Sequence, residues 1–188
     1  MTWIGVTTAG SFDAEAVEFA ARCLEPAFSV ETRRLEPLPD PDYAWDANRG
    51  QYSSTLILRE AIKRRPPDAA KVLVLTERDI FIPMLSFVYG QAQLDGPVAV
   101  LSTARLRQEF YALPPNRALF LLRLRKETLH ELGHTFGLTH CQDRLCTMSL
   151  STNIEQLDLK QAEFCNTCAI LLAEAIDGIR QEPAGRTE

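Results

Sequence analysis

The only three histidines of this 188-residue chain fall inside one stretch, His130-Glu131-Leu132-Gly133-His134-Thr135-Phe136-Gly137-Leu138-Thr139-His140. Residues four apart on an α-helix lie nearly one above the other, so His130 and His134 can grip one ion from the same face. Neutral imidazole is the commonest metal ligand near physiological pH. Glu131 sits one step round the helix, beside the ion, where a general base for a metal-bound water is needed. Gly137 lets the chain leave the helix through a left-handed conformation that other residues resist, and that turn returns His140 as a third ligand. Three protein ligands leave the fourth tetrahedral position open, which distinguishes a catalytic zinc site from a closed structural one. The competing reading is three ordinary histidines that cap or pack a solvated helix. It requires a glycine and a third histidine to fall into register by chance.

A second ligand set follows at once. Cys141, Cys146, Cys165 and Cys168 are four of the five cysteines and form C-x4-C followed by C-x2-C. Four thiolates at such spacings suit a closed, all-cysteine zinc site. His140 and Cys141 are neighbours whose side chains point to opposite sides of an extended segment, so one stretch can serve two ions. Ligand reach places those ions on the order of 10 to 15 Å apart. Two disulfides, or a redox-active C-x-x-C, are the alternatives. The chain opens without a basic segment leading into an apolar run, so a secretory route is not expected, and clustered thiols in a reducing compartment favour metal. Cys23, alone on an early helix, reads as a small buried hydrophobe.

The run H-E-x-x-H-x-x-G-x-x-H-C-x4-C-x-M with its following C-x-x-C resembles the archaemetzincin family of zinc metalloproteases. The match is close over residues 130 to 168, and Thr76 to Pro83 and Phe87 to Ala92 look similar to the family's middle strands. The resemblance implies His130, His134 and His140 as catalytic zinc ligands, with Glu131 as general base. It implies Cys141, Cys146, Cys165 and Cys168 as a structural zinc site, hence two ions per chain. Met148 takes the place of the Met-turn residue, an apolar floor beneath the catalytic site; an ordinary core methionine would look the same.

Length and composition agree with one compact domain. The chain is 46% hydrophobic and 24% charged, ordinary values for a soluble globular protein. A net charge of −5 offers no basic surplus for phosphates, which argues against nucleic acid as a partner. No apolar run approaches a membrane span. The expected location is the cytoplasm.

The expected class is α/β: a compact zincin-like domain whose twisted mixed sheet packs on an active-site helix, with a small C-terminal helical part tied by the four-cysteine site. Ile4 to Thr8 reads as a first strand, and Asp13 to Cys23 as a helix capped by Ser11. Phe28 to Leu35 alternates like a strand, and Pro37 to Gly50 is a loop by composition. A helix follows from about Gln51 to Lys63, then a buried strand over Lys71 to Thr76. Ser86 to Ala92 and Val98 to Leu101 read as strands joined by a turn at Asp95-Gly96. A long helix spans Asn116 to Phe136, and a last one Leu157 to Ile179. The domain is expected over residues 1–180, divided into 1–137 and 138–180, with a disordered tail at 181–188.

The resulting function is a zinc-dependent peptidase. Glu131 takes the proton as a zinc-activated water attacks a peptide carbonyl, then passes it to the leaving amine. The alternatives are a zinc-containing protein that binds peptides or partners without cleaving them, and a zinc hydrolase acting on a non-peptide bond. By family analogy the peptide lies along Ser86 to Ala92, where Gly90 either permits close backbone approach or marks a bulge. No tyrosine stands between residues 149 and 168 to stabilise an oxyanion; Tyr89 and Tyr111 are the remaining candidates, and both read more simply as packing aromatics.

Overall fold

The computed structural model describes residues 2–181. In chain order its elements are β1 (Trp3–Thr8), α1 (Ala14–Phe28), β2 (Glu31–Arg34), β3 (Trp45–Asp46), β4 (Gln51–Ser53) and α2 (Ser54–Arg64). Then come β5 (Lys71–Thr76), β6 (Ile80–Phe81), β7 (Gly90–Ala92), β8 (Val98–Ser102), α3 (Arg117–Thr135), α4 (Ile154–Leu159) and α5 (Asn166–Gln181).

The main sheet has the strand order β2-β1-β5-β8-β7. Its first four strands are parallel, and β7 runs antiparallel to β8, so the sheet is mixed. Every residue of β1, β5 and β8 is buried, because helices cover both faces. Side chains alternate across such a sheet. Ile4, Val6, Leu73, Leu75, Ala99 and Leu101 pack with α1 and α3. Val72, Val74, Val98 and Val100 join Ile57, Leu58 and Ala61 of α2 on the other face. The edge strand β7 lies beside α3, and that adjacency creates the cleft described below.

Helix α3 is not an ordinary amphipathic helix. Arg123, Lys126, Glu127, Thr128, His130 and Glu131 are all buried. Its N-terminus is capped by Asn116, whose side chain accepts from Leu119 N–H at 3.0 Å. Its C-terminus ends as expected at Gly137, whose φ of 86° needs a residue without Cβ. Lys71 Nζ donates to Thr135 O at 2.5 Å and to Gly96 O at 3.1 Å, placing a cation at the negative end of the helix.

Several expectations need correction. Asp13, not Ser11, caps α1, its carboxylate accepting from Ala16 N–H at 3.2 Å, and the helix runs past Cys23 and Pro26 to Phe28. The stretch read as helix from Gln51 begins as a strand, and β3, β4 and β6 form a small second sheet. Only Gly90–Ala92 of the expected Ser86 to Ala92 strand is extended against β8. The single last helix is two, α4 and α5. Between them the chain turns to pair with the cysteine segment: Gln161 N–H donates to Leu145 O at 2.8 Å, and Thr147 N–H to Glu163 O at 2.9 Å. Of the expected tail, Gln181 closes α5 and the rest lies outside the described residues.

Candidate metal centres and substrate cleft

The exposed turn after α3 brings His140 back over the helix, and one ring nitrogen from each of His130, His134 and His140 lies within 4.8 Å of the others. Backbone carbonyls fix the two helical rings. His130 Nδ1 donates to Thr147 O at 2.8 Å, and His134 Nδ1 donates to Leu138 O at 2.7 Å. That tautomer leaves both Nε2 lone pairs free, and the two Nε2 atoms face each other 3.1 Å apart. Two lone pairs so close repel unless a cation sits between them. Tetrahedral zinc with Zn–N of about 2.05 Å requires ligand nitrogens about 3.3 Å apart. The donor set therefore fits that ion. Burial holds all three imidazoles below the usual histidine range, His130 the furthest. A lowered pKa keeps them neutral, the form that binds metal.

The four cysteines converge equally well. Their Sγ atoms lie within 4.8 Å of one another, and Cys141 Sγ is 3.8 Å from Cys165 Sγ. Thiolates about 2.3 Å from one tetrahedral zinc stand about 3.8 Å apart. All four are free thiols, so the two-disulfide alternative is not what the chain adopts. Cys146 Sγ also accepts the backbone N–H groups of Met148 at 3.4 Å and Cys165 at 3.3 Å. Such bonds orient a thiolate and offset its charge. The C-x-x-C does open α5, as a redox use would want, but its two sulfurs lie in one group with those of Cys141 and Cys146. His140 and Cys141 divide between the two groups as the alternation of side chains requires. Cys23 stands apart on α1, and burial raises its thiol pKa.

Met148 is fully buried beneath α3. A Cβ added at Gly133 would stand 2.5 Å from Met148 Sδ, so the glycine inside the histidine motif is what lets the Met148 segment press against the helix. Gly90 has a similar role on the other side. A Cβ there would lie 2.4 Å from Cδ and 2.5 Å from Oε1 of Glu131. Gly90 thus permits close backbone approach to that carboxyl group.

A cleft of about 530 Å³ runs between β7 and α3, and Glu131, His130, His134 and His140 all line it. Burial pushes the Glu131 carboxyl well above the usual carboxylate range, and the neighbouring Glu127 pushes in the same direction. The cleft walls also include Leu85, Phe87, Leu94 and Leu150. Of the two tyrosines, Tyr111 donates its hydroxyl to Arg105 O at 3.0 Å and packs on Phe110, the plain packing role. Tyr89 lines the cleft, with its hydroxyl buried and unpartnered among the described residues.

The sequence reading missed Glu127 and Lys160, a buried ion pair at 3.4 Å that also lines the cleft. Glu127 carried a signal, since it stands four residues before Glu131 on the same helix face. Lys160 carried none, because its place depends on the break between α4 and α5.

A family model described as peptidase family M54 matches residues 68–174, which include both ligand groups and the strand beside Glu131. The chain belongs to peptidase family M54. It is 40% identical over 165 residues to the archaemetzincin of Methanocaldococcus jannaschii, covering 88% of this chain and 89% of that protein. The crystal structure of the Methanopyrus kandleri archaemetzincin superposes with a TM-score of 0.82 at 34% identity, covering 94% and 96% of the two chains. That of the Archaeoglobus fulgidus archaemetzincin, complexed with malonate, gives 0.78 at 34% identity, over 90% and 99%. M54 membership and the matching architecture agree with the resemblance read from the motif. They make the chain a zinc metallopeptidase acting on peptides or proteins. Among the described residues, no helix is long and apolar enough to cross a membrane.

Proposed function

We propose that this zinc-dependent peptidase holds its catalytic ion on His130, His134 and His140, uses Glu131 as general base, and carries a second, structural zinc on Cys141, Cys146, Cys165 and Cys168. The observation that carries the first site is the pair of Nε2 atoms 3.1 Å apart, each ring locked by a carbonyl on its other nitrogen. When bound, zinc supplies a Lewis acid and brings the pKa of water toward neutrality. The peptide main chain lies along the free edge of β7, where strand addition supplies backbone hydrogen bonds. Glu131 takes the proton of the attacking water and returns it to the leaving amine nitrogen. Burial and the neighbouring Glu127 push its carboxyl above the usual carboxylate range, which favours holding the proton between those two acts. Gly90 beside it keeps the carboxyl group and the peptide edge in close register.

The cysteine site ties α5 to the Met148 segment and thereby to the floor of the catalytic site. The two separate ligand groups support a reading of two ions per chain. We read residues 1–180 as one metallopeptidase domain, with 1–137 carrying sheet and active-site helix and 138–180 carrying His140, Met148 and the cysteines. Free thiols suit a reducing compartment such as the cytoplasm, and a net charge of −5 gives nucleic acid no footing. Glu131→Gln should keep its zinc and lose peptide cleavage by at least about a hundredfold, the contribution typical of a general base. Loss of zinc in that variant would make Glu131 a ligand and refute the assignment.

A further inference from the structure

Three buried lysines lie on or against α3, and they are not alike. Lys71 and Lys126 each donate to two backbone carbonyls, Lys126 to Leu157 O at 3.1 Å and Asp158 O at 2.9 Å. Both lie outside the cleft lining. Lys160 lines the cleft, its side chain is 1% exposed, and its only hydrogen bond among the described residues is a long one to Glu127 at 3.4 Å. An ammonium carries three donors, and burying donors without acceptors is costly. The same cleft holds two further buried donors without partners, the hydroxyls of Tyr89 and Ser151. Glu127 and Glu131 also line the cleft as acceptors, yet the single long bond to Glu127 leaves Lys160 Nζ with donors unused beside these two hydroxyls, where an acceptor-rich anionic group can engage them.

Anchoring α4 does not require Lys160. Arg123 already grips Asp158 through two bonds of 2.7 and 2.6 Å, and Lys126 caps the last carbonyls of α4. A buried ion pair kept for packing alone is replaceable by apolar side chains without loss.

We propose that Lys160 makes this cleft selective for substrates bearing a carboxylate, with the Tyr89 and Ser151 hydroxyls as supporting donors. This rests on the peptidase reading of the cleft. The carboxylate is either an acidic side chain near the scissile bond or the C-terminus of a short peptide, and matched peptides separate these sources.

The test uses zinc-loaded Glu131→Gln protein, which binds without turning over. Dissociation constants are measured by calorimetry for peptides with Asp or Glu scanned through each position against Asn or Gln, and for free C-termini against amides. In one of the two series the acid form should bind at least about tenfold tighter, as a charge-assisted hydrogen bond implies. With Lys160→Met added, that ratio should fall to about one. If that variant fails to fold, the neutral pair Glu127→Gln with Lys160→Met replaces it. A ratio near one in both series, or a ratio that persists without Lys160, overturns the proposal. So does a loss of affinity from Lys160→Met that is equal for acid and amide peptides, the mark of a role unrelated to the carboxylate. Failure of wild type to cleave any of these peptides would count against the peptidase reading and leave the binding ratio readable.

Discussion

Gly90→Ala isolates the contact between the sheet edge and the proposed base. Gly90 does not have a positive φ, so alanine meets no backbone penalty and the effect comes from the new methyl group alone. That methyl would stand 2.4 Å from Cδ, 2.5 Å from Cγ and 2.5 Å from Oε1 of Glu131. Carbon atoms prefer separations of about 3.5 Å or more, so the overlap is about 1 Å. Glu131 is 4% exposed but lines the cleft, so its carboxyl end is the part with space to turn aside. Either the carboxyl group or β7 must shift by about that overlap, at a cost of about 1–3 kcal/mol for overpacking. At about 2–4 °C per kcal/mol for a chain of this size, Tm should fall by about 2–12 °C. A displacement of about 1 Å in a reacting group costs on the order of a hundredfold in rate. The expected result is zinc content unchanged, peptide turnover reduced about a hundredfold, and a modest drop in Tm. Turnover within about threefold of wild type would show that the displaced carboxyl group still serves the reaction, and would refute this reasoning.

Two further outcomes follow from the metal groups. Cys165→Ser should lower Tm by at least about 6–12 °C, equivalent to about 3 kcal/mol or more, because losing one thiolate frees α5 from the Met148 segment. An unchanged melting temperature with full zinc content would remove the structural role. Metal competition with protons gives the second. Burial depresses the pKa of all three histidines, so their neutral form persists as pH falls through 6.5, the ordinary imidazole value. Zinc in the three-histidine group should therefore survive dialysis at pH 6 and be lost only on further acidification, followed as the loss of catalytic activity that zinc restores. A midpoint at or above about 6.5 would contradict the depressed pKa values.

Much of this site could be read in the sequence because its information is local. A helix spaces His130 and His134, Gly137 sets the turn to His140, and alternation of side chains splits His140 from Cys141. None of these depends on distant packing. The continuous apolar strand Lys71–Thr76 was legible for the same reason. What could not be read depends on tertiary contact. The break between α4 and α5 contains neither proline nor glycine. It forms because Gln161 and Glu163 pair with the cysteine segment, and a helical pattern carries no trace of that pairing. Lys160 reaches the cleft only through that break. The stretch Ser86 to Tyr89 reads as strand by composition, yet it curves along the cleft, with an isolated bridge from Val88 to Ile80, before the β7–β8 ladder begins at Gly90. Gly90 and Gly133 are single residues whose need for a missing Cβ appears only once Glu131 and Met148 are placed against them.

The most direct test of the two-centre account is an anomalous difference map at the zinc edge from crystals of the protein purified without chelator. Two peaks per chain are expected, one among the ring nitrogens of His130, His134 and His140 and one among the sulfurs of Cys141, Cys146, Cys165 and Cys168. A single peak, or a disulfide where the four-sulfur peak should stand, would contradict it.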